Sequence, residues 1–194
     1  MRLVLASASP RRAALLDQLG IKFDVSPPDV DEARRPDEEP AAYVERLARE
    51  KALAKVAADV VVVAADTAVV HDSHVMGKPA HPEEARSMLR RLQGEVHEVV
   101  TGLAVAGGDE LHSVVDITSV RMLTMTDDEI DRYVDSGEPM DKAGAYALQG
   151  RGGVFIEAVS GSPFTVIGLP IHLLPRLLAR AGADLRHFEA GRPV

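Results

Sequence analysis

Several side chains in this 194-residue sequence are suited to holding and cleaving a phosphorylated ligand, and most of them stand where an apolar run gives way to a turn. Ser7, Ser9, Arg11 and Arg12 lie in SASPRR, which sets two hydroxyls and two guanidiniums at a predicted helix start. The unpaired N–H groups of a helix start attract anions, and guanidiniums grip phosphate oxygens in a fork, so this segment suits a triphosphate. An ordinary structural Ser-Pro helix start has the same appearance. Asp66 follows the six apolar residues VVVVAA, where a carboxylate needs a partner, caps a turn or faces a cleft. Thr67 is its neighbour. Lys78 sits in GKP just past a predicted hairpin, and Lys51 falls on the apolar side of a predicted helix. Taken alone, a lysine there runs its stem outward to water.

Composition narrows the ligand. A net charge of −8 opposes adhesion to long polyanions, so nucleic acid is not an expected partner, whereas a small phosphorylated ligand needs only a few local cations. With no cysteine, the chain has no disulfide, thiolate zinc site or cysteine nucleophile. No uncharged apolar run is long enough to cross a bilayer, and MRLVLASASPRR reads as a first strand and not a signal peptide. A cytoplasmic, membrane-independent protein is the expectation. The sequence carries no G-x-x-x-x-G-K-[ST], no dinucleotide fingerprint after a strand, no G-x-S-x-G and no H-E-x-x-H. That argues against a kinase, a dehydrogenase, a serine hydrolase and a zinc protease. His71 and His74 read as exposed turn residues.

The elements that must position these groups follow from periodicity. Leu3–Leu5 is a short strand, Ser9 a helix cap, Pro10 a first helical residue and Gly20 a left-handed stop. Phe23 and Val25 suggest a second strand, and PPDVDEARRPDEEP a surface loop and candidate lid. Spacings of three, four and seven predict a helix from Ala41 to about Ala58. The β-branched run from Val60 to Ala65 predicts a strand covered on both faces and ended by Asp66. A hairpin turns at residues 71–74, a helix runs to Gly94, and two long strands, Val96–Ala106 and Leu111–Met122, meet at Gly107, Gly108 and Asp109. Thr126 with Glu129 forms a capping box. Gly137–Gly153, with five glycines in seventeen residues, is a shaped loop. Strands at Val154–Ile156 and Phe164–Ile167 and a final helix from Pro170, kinked at Pro175, complete an α/β chain with a mixed central sheet flanked by helices.

In order along the chain, LASASPRRAALL, the Asp31-Glu32 pair, LAREKA, AADT, GKP, EPMDKAGAYALQG and IGLP resemble the Maf family of nucleotide pyrophosphatases. The resemblance implies a single domain over residues 1–194 with a fold like that of Maf and ITPase proteins, its two lobes around a central nucleotide-binding cleft. It also implies a divalent cation, Mg²⁺ or Mn²⁺, and cleavage of a nucleoside triphosphate between its α and β phosphates. Asp66 matches the family's proton acceptor, and Arg12, Thr67 and Gln149 match the branch that takes dTTP and UTP. On this reading Lys51 and Lys78 act in catalysis, Ser7, Ser9, Arg11 and Arg12 hold the phosphates, and Glu32 and Asp66 offer hard oxygens to the metal. How the base and ligand roles divide between the two carboxylates is left open. A homodimer is compatible with the sequence, as is a nucleotide-binding regulatory module linked to cell division with little turnover. An interaction scaffold built on the long hairpin is a third reading.

Overall fold

The strands form where β-branched residues run together or alternate: β1 (Arg2–Leu5), β2 (Asp24–Val25), β3 (Val60–His71), β4 (His74–Met76), β5 (Val96–Gly107), β6 (Glu110–Met122) and β7 (Ile156–Ser160). In the computed structural model, which describes residues 1–189, they share a mixed sheet in the order β2-β1-β3-β5-β6-β7, with β4 on β3. β1 lies parallel to β2 and to β3, pairing Leu3 with Val61 and Leu5 with Val63, whereas β4 on β3 and β7 on β6 are antiparallel. Among the described residues six α-helices accompany the sheet: α1 (Pro10–Gln18), α2 (Pro40–Leu53), α3 (Pro82–Leu92), α4 (Asp127–Asp135), α5 (Pro163–Ile167) and α6 (Leu174–Arg180). None in the described residues is long and apolar enough to cross a membrane. The expected domain span of 1–194 extends past them, since 190–194 lie outside the described residues.

The chain divides into two compact units. One comprises Met1–Asp66, Thr101–Asp116 and the chain from Gly168 onward; the other comprises Thr67–Val100 and Ile117–Ile167. In the first, Val4, Val60, Val62 and Ala64 of the sheet and Ala6 just past β1 bury against Ala48 and Ala52 of α2. Small residues on both sides let helix and sheet approach closely. Gly102 on β5 takes this furthest, since a Cβ there would collide with the backbone of Val44 and Glu45 on α2. In the second unit, Ala85, Leu89 and Leu92 of α3 and Ile130, Tyr133 and Val134 of α4 share a core with Val120 and Met122. The Thr126–Glu129 capping box forms as expected and starts α4.

Several local expectations are corrected. β3 does not end at Asp66 but continues to His71, because the residues beyond Asp66 pair with β4, Val69 opposite Met76 and Val70 opposite Val75. Helix α2 stops at Leu53, short of Ala58, since the chain must turn through Asp59, at φ 58°, to enter β3. Phe164–Ile167 is helical and not a strand. Its β-branched residues are overridden by Pro163 in the first turn and by Ser162, which is hydrogen-bonded to the Thr118 hydroxyl through both its N–H and its carbonyl. β7 begins where the expected Val154–Ile156 strand was to end. The last helix starts at Leu174 and not Pro170, so Pro175 opens its first turn, where a missing N–H costs nothing, and makes no kink.

One buried polar pair in the second unit gives a pH dependence. His97 is buried, its Nε2 stands 2.7 Å from the Tyr146 hydroxyl, and its Nδ1 has no hydrogen-bond partner among the described residues. Burial first, and then the nearby His71, lower its pKa from 6.5 to about 4. Between those values the unfolded chain binds the proton that the folded protein refuses, so stability present above pH 6.5 is lost as pH falls toward 4. The full shift corresponds to at most ~3 kcal/mol. His97→Gln keeps a group able to reach Tyr146 but does not titrate. Urea midpoints measured across this window should fall steeply for the wild type and less for the variant; equal slopes would show that His97 does not set the dependence.

Candidate functional site

The first unit brings two groups of predicted residues together. One is the turn between β1 and α1. Ser9 has the extended backbone of a cap, yet its side chain makes no capping hydrogen bond; its N–H instead donates to the Ser7 hydroxyl oxygen at 3.2 Å. That oxygen also accepts from Arg12 Nη1 at 3.1 Å. Arg12 further donates from Nη1 to the Ala65 carbonyl at 2.8 Å and from Nε to the Gly168 carbonyl at 2.7 Å. The guanidinium thus ties the turn to the strand residue before Asp66 and to the IGLP segment. Burial lowers the Arg12 pKa, Asp66 opposes the effect and Arg11 reinforces it, so both cations and the carboxylate share one electrostatic neighbourhood. Gly168 was not foreseen as a partner, and its place in IGLP was the only signal.

The second group centres on Lys51. Its Nζ lies 2.6 Å from Asp66 Oδ1 and 2.6 Å from Glu32 Oε1. Asp66 and Lys51 are buried, whereas Glu32 is more than half exposed at 57% and can turn to water. Lys51 does not snorkel. It stands two turns beyond Val44, where the close approach at Gly102 holds α2 against the sheet, and so its ammonium reaches the carboxylate on β3. The Asp66–Lys51 pairing joins residues 15 apart in sequence.

Glu32 is held by the acidic loop, which packs onto α2. Arg46 on α2 grips Glu38 through two nitrogens, at 2.6 Å and 2.8 Å, and donates to the Ala33 carbonyl at 3.1 Å. The Arg46 hydrogen bonds hold the Glu38 pKa down at about 2. The Tyr43 hydroxyl donates to the Glu32 carbonyl at 3.0 Å. Burial, then Asp66 and Glu32, raise the Tyr43 pKa, which sets the phenol in the field of both carboxylates. Neither Tyr43 nor Arg46 was singled out in the sequence; both belong to the same helix as Lys51.

The remaining predicted residues belong to the second unit. Thr67 follows Asp66 in β3 and is half-buried, and Lys78 is exposed just past β4. Gln149 is exposed in the glycine-rich loop. That loop is a chain of short 3-10 turns, Glu138–Asp141, Ala143–Ala145 and Arg151–Phe155. The Gly144 N–H donates to the Gly77 carbonyl at 3.1 Å, which stitches the loop to the segment bearing Lys78. Lys142 spends its ammonium inside the loop, on the Glu138 carbonyl at 2.6 Å and on Asp141 at 2.5 Å.

A divalent cation can be tested against this donor set. Glu32 Oε1 and Asp66 Oδ1 converge on one ammonium, so the protein already holds a positive charge between two hard oxygens. No cluster of three or more His, Cys, Asp or Glu is found among the described residues. Two carboxylates fit a cation of the Mg²⁺ class that takes its other ligands from substrate phosphates and water.

The family model described as Maf-like protein matches residues 2–181. A dTTP/UTP pyrophosphatase of Anaeromyxobacter dehalogenans is 54% identical over 189 residues, covering 95% of this chain and 96% of that protein. One from Vibrio cholerae is 48% identical over 180 residues, covering 91% and 96%. Another, from Alkaliphilus metalliredigens, is 46% identical over 182 residues, covering 91% and 94%.

Proposed function

Since the chain belongs to the Maf-like protein family, we propose that it hydrolyses dTTP and UTP to the monophosphate and pyrophosphate, as the names of its relatives state for them. The observation that carries the reading is the buried Asp66 carboxylate, held 2.6 Å from Lys51, which also meets Glu32, in the field of Arg12. A buried carboxylate paired with an ammonium, near the turn between β1 and α1, suits the handling of water beside a phosphate chain.

In this mechanism Asp66 accepts a proton from a water molecule as its oxygen bonds to the α-phosphorus. The bond from that phosphorus to the oxygen bridging to the β-phosphorus breaks, and pyrophosphate departs with the bonding pair. Arg11, Arg12, Lys51 and Lys78 offset the charge that grows on it, and Ser7 and Ser9 bind the phosphate chain at the turn. Glu32 and Asp66 would hold the divalent cation, Mg²⁺ or Mn²⁺, which when bound supplies charge neutralisation of the phosphates. Lys51 exchanges its carboxylate partners for phosphate oxygens as the substrate enters.

Base choice falls to Gln149 and Thr67. An amide offers one donor and one acceptor side, which suits the carbonyl and N–H edge shared by uracil and thymine. Purified protein with Mg²⁺ should release UMP and pyrophosphate from UTP, and kcat/KM should rank UTP and dTTP above CTP, ATP and GTP. Gln149→Ala should flatten that ranking, because a site built to pair a polar edge rejects ligands that leave it unpaired. A wild type that favours purines, or a ranking untouched by Gln149→Ala, overturns the base assignment; absence of pyrophosphate release overturns the enzyme.

A further inference from the structure

The exposed amide of Gln149 stands in the middle of a segment held at both ends by two side chains that the proposed reaction does not use. On the near side, the Ala147 N–H donates to the Tyr133 hydroxyl at 3.2 Å. On the far side, the Glu138 carboxylate accepts from the Arg151 N–H at 3.0 Å and the Gly152 N–H at 2.9 Å. The two anchors are joined, since the Tyr133 hydroxyl donates to Glu138 Oε1 at 3.0 Å. Packing leaves no slack. A Cβ at Gly150 would come within 2.7 Å of Glu138 Oε2, and one at Gly152 would collide with the Tyr133 hydroxyl and the Ala147 carbonyl. Burial would raise the Glu138 pKa, but the two backbone N–H groups and the Tyr133 hydroxyl outweigh it and lower it, so the carboxylate stays charged and accepting.

We propose that Glu138 and Tyr133 form a positioning pair for pyrimidine selection, clamping the loop so that the Gln149 amide is presented at a fixed angle to the base edge. The inference rests on the reading of Gln149 as the group that pairs with uracil and thymine. Its physical basis is that a hydrogen-bonding amide discriminates only when its direction is fixed. A loop free to shift would let the amide meet the cytosine edge as well as the uracil edge. Glu138 and Tyr133 need not touch substrate to act in this way.

The test compares kcat/KM for UTP and CTP in the full-length protein and in Gln149→Ala, Glu138→Gln, Tyr133→Phe and the double variant Glu138→Gln/Gln149→Ala. Glu138→Gln keeps the shape but turns one acceptor into a donor facing a donor, and Tyr133→Phe removes a single oxygen while keeping the ring beside Phe155. Each is expected to lower the UTP-to-CTP ratio roughly tenfold toward the Gln149→Ala value, mainly by raising KM for UTP and not by lowering kcat. The double variant should show the ratio of Gln149→Ala alone, since the clamp acts through that residue. If Gln149→Ala lowers the ratio while Glu138→Gln and Tyr133→Phe leave it unchanged, the positioning role is overturned and base reading stands. A ratio indifferent to Gln149→Ala overturns both. Should Glu138→Gln fail to fold, Tyr133→Phe decides the matter by itself.

Discussion

Asp66→Asn should lower the release of pyrophosphate from UTP by roughly a hundredfold or more, with the protein still folded. The substitution keeps the shape and removes the negative charge, which serves as proton acceptor or metal ligand under either division of roles with Glu32. The fold tolerates it because Lys51 keeps Glu32 as a partner at 2.6 Å and the neutral amide is cheaper to bury than an anion. Single-turnover measurements at saturating UTP and Mg²⁺, together with thermal melting, separate chemistry from stability. Near-normal turnover in the variant would remove Asp66 from the reaction.

Lys51→Met is expected to lose both activity and stability, and the two losses have different origins. The ammonium is buried and balances two carboxylates, but they do not suffer equally from its removal. Glu32 turns to water, while Asp66, whose side chain is 11% exposed, stays buried without its ammonium partner and keeps Arg12 in its neighbourhood. Breaking a buried pair from one side costs ~3–5 kcal/mol, and the remaining guanidinium puts the expectation at the lower end. Neutralising the stranded charge should recover most of it, so Lys51→Met/Asp66→Asn is expected to be more stable than Lys51→Met alone. Urea midpoints at unchanged m value provide the reading. If the double variant instead loses the sum of the single losses, the two side chains are not coupled in the way the 2.6 Å separation indicates.

The residues legible in the sequence were those whose signal is local. The strand-turn-helix around Pro10, the capping box at Thr126, the glycine turn between the two long strands and the shaped loop from Gly137 each lie within one window of the chain, where hydrophobic period, capping and turn chemistry act over a few residues. Phe164–Ile167 shows where that reasoning fails. Its composition favours a strand, but the Thr118 hydroxyl, 44 residues away, holds Ser162 so that the chain enters a helical turn. Lys51 fails in the same manner. Periodicity put it on the apolar side of a helix, and nothing in that helix tells whether its ammonium finds water or a carboxylate.

By itself the sequence determined the α/β class, the order of most elements, the family and a set of candidate residues for a phosphorylated ligand. All of these depend on local periodicity or on ordered short motifs. Tertiary structure alone decided the partners. Arg12 reaches the Gly168 carbonyl across 156 positions, Lys51 bridges Glu32 and Asp66, and Glu138 closes the loop on Gly152. The physical reason is that a hydrogen bond or ion pair depends on atoms meeting within about 3 Å, and that meeting is set by how a helix seats on a sheet. At Gly102 the absence of one Cβ lets α2 come close enough to bring Lys51 to Asp66, a consequence that no window containing Gly102 or Lys51 alone expresses.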